Sequence, residues 1–131
     1  MSDNLHPNDP VNAVAEKVLD CAFALHRLYG PGLLESAYEA LLAYELEQLG
    51  LKVERQKILP LHHKGVDIDN GYRLDLLIGD LLIVELKCID KILPIHQAQV
   101  ITYLKLSQLR LGLLLNFKST LLKDGIKRIV V

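Results

Sequence analysis

Three residues near the middle of the chain have side chains suited to hydrolytic chemistry. The stretch Tyr72-Arg73-Leu74-Asp75-Leu76-Leu77-Ile78 carries one carboxylate among leucines and isoleucine. The stretch Leu81-Leu82-Ile83-Val84-Glu85-Leu86-Lys87 carries a glutamate and a lysine two residues apart. Read as strands, the second places Glu85 and Lys87 on one face, because strand side chains alternate. Charges on otherwise apolar strands cost free energy unless something compensates them. Asp75 and Glu85 together would form an oxygen-only site, which suits Mg²⁺ or Mn²⁺ better than zinc. Lys87 beside it could orient or deprotonate a water. An ion pair of Lys87 with Glu85 or Asp75 at a strand end fits the same spacing and stays open.

The metal reading sets a geometric condition. With a strict two-residue loop at Gly79-Asp80, Ile78 faces Leu81 and Asp75 faces Val84. Glu85 and Lys87 would then point to the other side of the sheet. A three-residue loop over 79–81, or a bulge, brings Ile78 opposite Leu82 and Asp75 opposite Glu85. Gly79 can take the positive φ this needs, although the dipeptide alone reads as a two-residue turn.

The elements that must position these residues follow from local signals. Asp9-Pro10 is a helix start, with Asp capping free amides and Pro suiting the first turn. Val11, Val14, Val18, Cys21, Leu25 and Leu28 then form one apolar stripe. Tyr29-Gly30-Pro31-Gly32 stops that helix, and a second runs from about Leu33 to Leu49, with Gly50 as its C-cap. Lys52–Leu61 reads as strand, although Pro60 argues against a central position at its end. Lys64–Gly71 reads as a turn-rich link. Tyr72–Ile78 and Leu81–Cys88 read as strands, Pro94 to about Ser107 as a helix, and Leu111–Phe117 as a buried strand. Ile126–Val131 is a last short strand. Residues 1–8 read as a flexible arm and 9–131 as a single domain. The order ααβββαββ implies an α/β fold with a mixed sheet flanked by helices. Its third helix would cross over, right-handed, to a strand parallel to the third.

Composition narrows the classes. With 131 residues, 50% apolar and 24% charged, the chain reads as globular, not as a disordered tail or a coiled-coil rod. No apolar run approaches the roughly 18 residues of a membrane span. The start MSDNLHPNDP lacks signal-peptide order, so the expected location is cytoplasmic. A net charge of −1 excludes a generic polyanion binder. Local phosphate contact would fall to Lys118, Lys123, Lys127 and Arg128, or to Lys52, Arg55, Lys57 and Lys64. A solvated face is the default for both groups. Cys21 and Cys88 have no metal or redox spacing and are expected to be reduced and buried. His62-His63 lacks zinc-site spacing.

Asp75 and Glu85-Leu86-Lys87 on adjacent strands resemble the PD-(D/E)XK nuclease superfamily. Within it, Gly32-Leu33-Leu34-Glu35-Ser36-Ala37-Tyr38 is similar to the signature of the GxxExxY family. The stretches YRLDLL (72–77), IVELK (83–87), HQAQVITYLK (96–105), LGLLLNF (111–117) and DGIKRI (124–129) fit that family in order. The likeness runs from about residue 10 to the end. Leu74 stands where the superfamily has proline before the aspartate. His62-His63 stands where an aromatic is expected.

The resemblance implies a restriction-endonuclease-like core. It implies a metal-dependent nuclease acting on nucleic acid, DNA foremost. A chain of 131 residues has little surface for substrate selection, so a homodimer or a partner protein is expected. Asp75 and Glu85 would hold Mg²⁺ or Mn²⁺ with a strand carbonyl, that of Leu86. Lys87 would position the attacking water. Glu35 would face the site from the preceding helix, and Gln99 and Tyr103, a QxxxY pair, would line it from the crossover helix. Helical spacing independently puts Glu35 with Tyr38, and Gln99 with Tyr103, on shared faces, with His96 beside the latter pair. The rival class is a nuclease-fold subunit that binds nucleic acid or assembles without hydrolysis.

Overall fold

Asp9 caps the first helix, α1 (Pro10–Tyr29), by accepting a hydrogen bond from Val11 N at 3.0 Å, and Pro10 occupies the first turn. These details come from a computed structural model that describes residues 5–69 and 72–131. Gly30, with φ +72°, ends α1, its amide bonding to the His26 carbonyl. Helix α2 (Glu35–Gln48) follows after a short turn. Tyr38 fixes that turn. Its hydroxyl donates to the Gly30 carbonyl and accepts from Leu33 N at 3.1 Å, while its ring stacks on Phe117 at 4.3 Å. The two ends of the interhelical turn are thus tied to the core by one buried side chain.

The remaining elements are β1 (Val53–Ile58), β2 (Leu61–His63), β3 (Val66–Ile68), β4 (Arg73–Ile78), β5 (Leu82–Lys87), α3 (Pro94–Ser107), β6 (Leu111–Asn116) and β7 (Ile126–Val130). The main sheet has the order β1-β4-β5-β6-β7. All its pairings are antiparallel except β5 with β6, which is parallel across the α3 crossover. This is the mixed α/β architecture expected from the order of elements.

One part departs from the expectation. Lys64–Gly71, read as a link, contains β3, which pairs with β2 as a separate hairpin. Lys64 and Gly65 form its turn with φ of +48° and +78°, the positive values that tight hairpins need. Asn70 and Gly71, at the end of that stretch, lie outside the described residues. Of the stretch read as an arm, residues 1–4 also lie outside them, whereas Leu5 is buried in the core.

The sheet separates two apolar layers. On one side α1 and α2 pack Val18, Ala22, Leu42 and Leu46 against Leu76, Ile78, Val84 and Leu86. On the other, α3 packs Val100 and Leu104 against Leu77, Ile83 and Leu114. Gly112 on β6 permits the close approach of α3. A Cβ there would lie 2.6 Å from Val100 Cγ1.

Candidate active site

The β4–β5 hairpin meets the register condition. Gly79 and Asp80 both take positive φ, at +60° and +58°, and Leu81 N donates to the Ile78 carbonyl at 3.0 Å. That is a tight two-residue turn, as the dipeptide suggests. Leu81 is then an extra residue, because Ile78 pairs with Leu82, Leu77 with Ile83 and Leu76 with Val84. The same register puts Asp75 opposite Glu85.

The backbone ladder between β4 and β5 stops one step short of them, and side chains take over. Asp75 N donates to Glu85 Oε1 at 3.0 Å, and Leu86 N donates to Asp75 Oδ2 at 2.9 Å. Each strand's amide is thus bonded by the other strand's carboxylate. The β1–β4 ladder also skips Asp75, pairing Arg55 with Leu76 and Lys57 with Leu74. Alternation slips here too. Leu76 and Ile78 belong to the α1/α2 layer, while Leu77 and also Leu74 belong to the α3 layer. Asp75 therefore sits where β4 leaves regular pairing on both sides.

The electrostatics follow from this crowding. Glu85 is 6% exposed, and burial, with the Asp75 charge next in weight, pushes its pKa up to about 9. Glu35 opens α2, exposed at its rim, yet its pKa is also raised, by partial burial and then by Asp75. Lys87 and the Cys88 backbone amide pull it down again. Tyr103 on α3 is half-buried, and its hydroxyl pKa is raised by burial and by the charges of Glu85 and Asp75. The Asp75 charge thus reaches Glu35, Glu85 and Tyr103, and the Lys87 charge reaches Glu35 and Glu85. Lys87 is half-buried, and among the described residues it forms no ion pair within 4.0 Å. The bland alternative of a strand-end salt bridge is not what the fold uses.

Gln99 is exposed. It lines a shallow cleft with Tyr72, Ile95 and Tyr103, where the two tyrosine rings meet edge-on at 6.2 Å. His96 turns back on its own helix, its Nδ1 accepting from Leu93 N at 2.9 Å, and so caps α3. The expected pairing of Glu35 with Tyr38 on one face does not extend to a shared role, since Tyr38 is fully buried in the core. Cys21 and Cys88 are free but only half-buried, a correction to the expectation of burial.

Two polar residues near the carboxylates were not singled out by sequence. Glu39, one turn beyond Glu35, is 7% exposed. It accepts from Arg55 Nη2 at 3.0 Å and from Gln56 Nε2 at 2.6 Å. Gln56 Nε2 also approaches Asp75 Oδ1 at 3.4 Å. The i,i+4 spacing of Glu35 and Glu39 is the signal that could have found the first.

Mg²⁺ is usually bound by one or two carboxylates and completed by waters. Two converging carboxylates, one of them buried and short of compensating charge, fit that requirement. Among the described residues no group of three His, Cys, Asp or Glu side chains forms a fuller cage. Four of the eight candidate phosphate-contacting cations are engaged in ion pairs. Lys52 pairs with Glu54 and Asp80, Lys57 with Glu54, Arg55 with Glu39 and Lys118 with Asp90. No helix among the described residues is long and apolar enough to cross a membrane.

A family model described as the PD-(D/E)XK nuclease superfamily matches residues 12–129. Comparison with the curated proteins and with the solved structures found no match.

Proposed function

The chain belongs to the PD-(D/E)XK nuclease superfamily, and on that premise we propose that it is a metal-dependent nuclease hydrolysing phosphodiester bonds, with DNA the first substrate to test. The observation that carries this reading is the reciprocal bonding of Asp75 and Glu85 across the hairpin, which aims both carboxylates at one place. Asp75 and Glu85, with the Leu86 carbonyl, are the residues to hold Mg²⁺ or Mn²⁺. When bound, such an ion stabilises charge on the scissile phosphate and eases deprotonation of a water. Lys87 would position the attacking water. Glu35 faces the same space from α2 and orders a further water. Tyr103 and Gln99 border the substrate's path from α3.

The Gly32–Tyr38 stretch supports placing the chain in the GxxExxY family. Its Tyr38 holds the turn from which Glu35 enters the site. The rival reading, a nucleic-acid-binding subunit without hydrolysis, draws support from the net charge of −1 and the engaged cations. Labelled DNA and RNA substrates incubated with Mg²⁺ or Mn²⁺ separate the two. Cleavage by the parent and none by Asp75→Ala supports the nuclease. Binding without cleavage under every condition transfers the case to the rival.

A further inference from the structure

Arg55 and Gln56 are consecutive residues of strand β1, yet both side chains reach the Glu39 carboxylate. In a regular strand, consecutive side chains point to opposite faces. The exception has a backbone cause. Gln56 takes φ +50°, a left-handed value in the middle of a strand where a non-glycine residue is strained. The strain does not serve register. Arg55 pairs with Leu76 and Lys57 with Leu74, so the count of residues is unbroken and no bulge is present. Its consequence is the placement of one amide. Gln56 Nε2 donates to Glu39 Oε1 at 2.6 Å and approaches Asp75 Oδ1 at 3.4 Å.

We infer that Gln56, anchored by Glu39, is a positioning residue for Asp75. This rests on the metal-site reading above and deepens it. Asp75 Oδ2 is already fixed by Leu86 N at 2.9 Å. Leu86 N and the Glu85 side chain hold the Asp75 carboxylate from β5 alone, so its β1 side needs a donor of its own. Gln56 supplies that donor. Its neutral amide also separates two carboxylates, Glu39 on the helix and Asp75 on the strand, which would otherwise repel across the gap. Glu39 is held in turn by Arg55, through both Nε at 3.2 Å and Nη2 at 3.0 Å. The chain Arg55–Glu39–Gln56–Asp75 thus ties the orientation of one metal-facing oxygen to helix α2 and the edge strand.

The test compares stability with affinity for Mn²⁺ alone. Gln56→Gly removes the amide and the strain together, since glycine adopts positive φ without steric strain. Its melting temperature is expected to stay near the parent's, since relief of strain offsets the lost bond to Glu39 and the backbone entropy of glycine. Its Mn²⁺ affinity by titration calorimetry is expected to fall about 10- to 100-fold, the usual scale for residues that orient metal ligands. Gln56→Asn tolerates the left-handed backbone but is too short to bridge both carboxylates, so it should lose affinity likewise. It decides the matter if the glycine variant folds poorly. Unchanged Mn²⁺ affinity in a folded variant overturns the positioning role and leaves the metal site standing. A parent protein that takes up no Mn²⁺ overturns both.

Discussion

Glu85 and Lys87 lie two residues apart on one strand, and the fold treats them in opposite ways. Glu85 is 6% exposed, and burial, with Asp75 beside it, pushes its pKa from 4.5 up to about 9. Because the folded value is raised, the stability linked to its protonation is fully present below about 4.5 and is lost as pH rises through about 9. Metal-free protein should therefore melt at progressively lower temperature between about pH 5 and pH 9, relative to Glu85→Gln, which has no proton to lose. The glutamine can still accept from Asp75 N. Parallel melting curves across that range would sink this account of Glu85. Titration with Mn²⁺ should also show severe loss of affinity in both Asp75→Ala and Glu85→Ala, since each would remove one of the two proposed anionic donors. Under the proposed mechanism Lys87 holds water and not metal, so its loss is expected to act differently. Lys87→Ala should fold normally, keep Mn²⁺ affinity and lose cleavage by about 10², the scale of acid–base and positioning effects. A Lys87→Ala enzyme that cleaves at the parent rate removes it from the mechanism.

The third helix shows how packing between elements reaches the site. Gly112 on β6 faces α3, and a Cβ there would lie 2.6 Å from Val100 Cγ1 and 3.5 Å from Leu104 Cδ1. Gly112→Ala must push α3 outward or force Val100 from its rotamer, at a cost of about 1–3 kcal/mol. Tyr103 and Gln99 ride on the same helix, so cleavage should fall with stability. Denaturant unfolding measures the first, and a variant as stable as the parent would show that the helix yields freely. The bounds of α3 were legible because Pro94 marks its start. The β2–β3 hairpin was not, because Lys64 takes a positive φ that a lysine does not advertise. The register at Leu81 was legible only as a condition, since tight turn and bulge are consecutive and local sequence specifies the turn alone. Gln56 was the least visible of all. In VERQKI it reads as an exposed strand position, and its role follows from a backbone angle imposed by partners on two other elements.

The charges of the whole molecule limit how it can hold a polyanion. Acidic and basic residues number 16 and 15, and several of the cations nearest the site or its sheet are bonded to this chain's own carboxylates. Exposed pairs such as Lys52–Asp80 and Lys118–Asp90 are individually weak and can open. Opening one to reach a phosphate, however, leaves its aspartate close to the same phosphate, so the net gain per contact is small. Sequence alone showed the balance of charge but not the pairs Lys52–Asp80 and Lys118–Asp90, whose partners lie 28 residues apart in the chain. A protein built this way should engage few phosphates. Each phosphate neutralised on duplex DNA contributes about 0.9 to the slope of log affinity against log salt concentration, and about 0.7 on a single strand. The expected slope for one protomer has a magnitude below about 3. Fluorescence anisotropy with Asp75→Ala, expected to be catalytically silent, in Ca²⁺ or without metal, measures it across a salt series. A slope near 6 or steeper would mean that more cations are engaged than this account allows. A concentration-dependent slope would then trace them to a second copy of the chain, and a concentration-independent one to internal pairs that open together on binding.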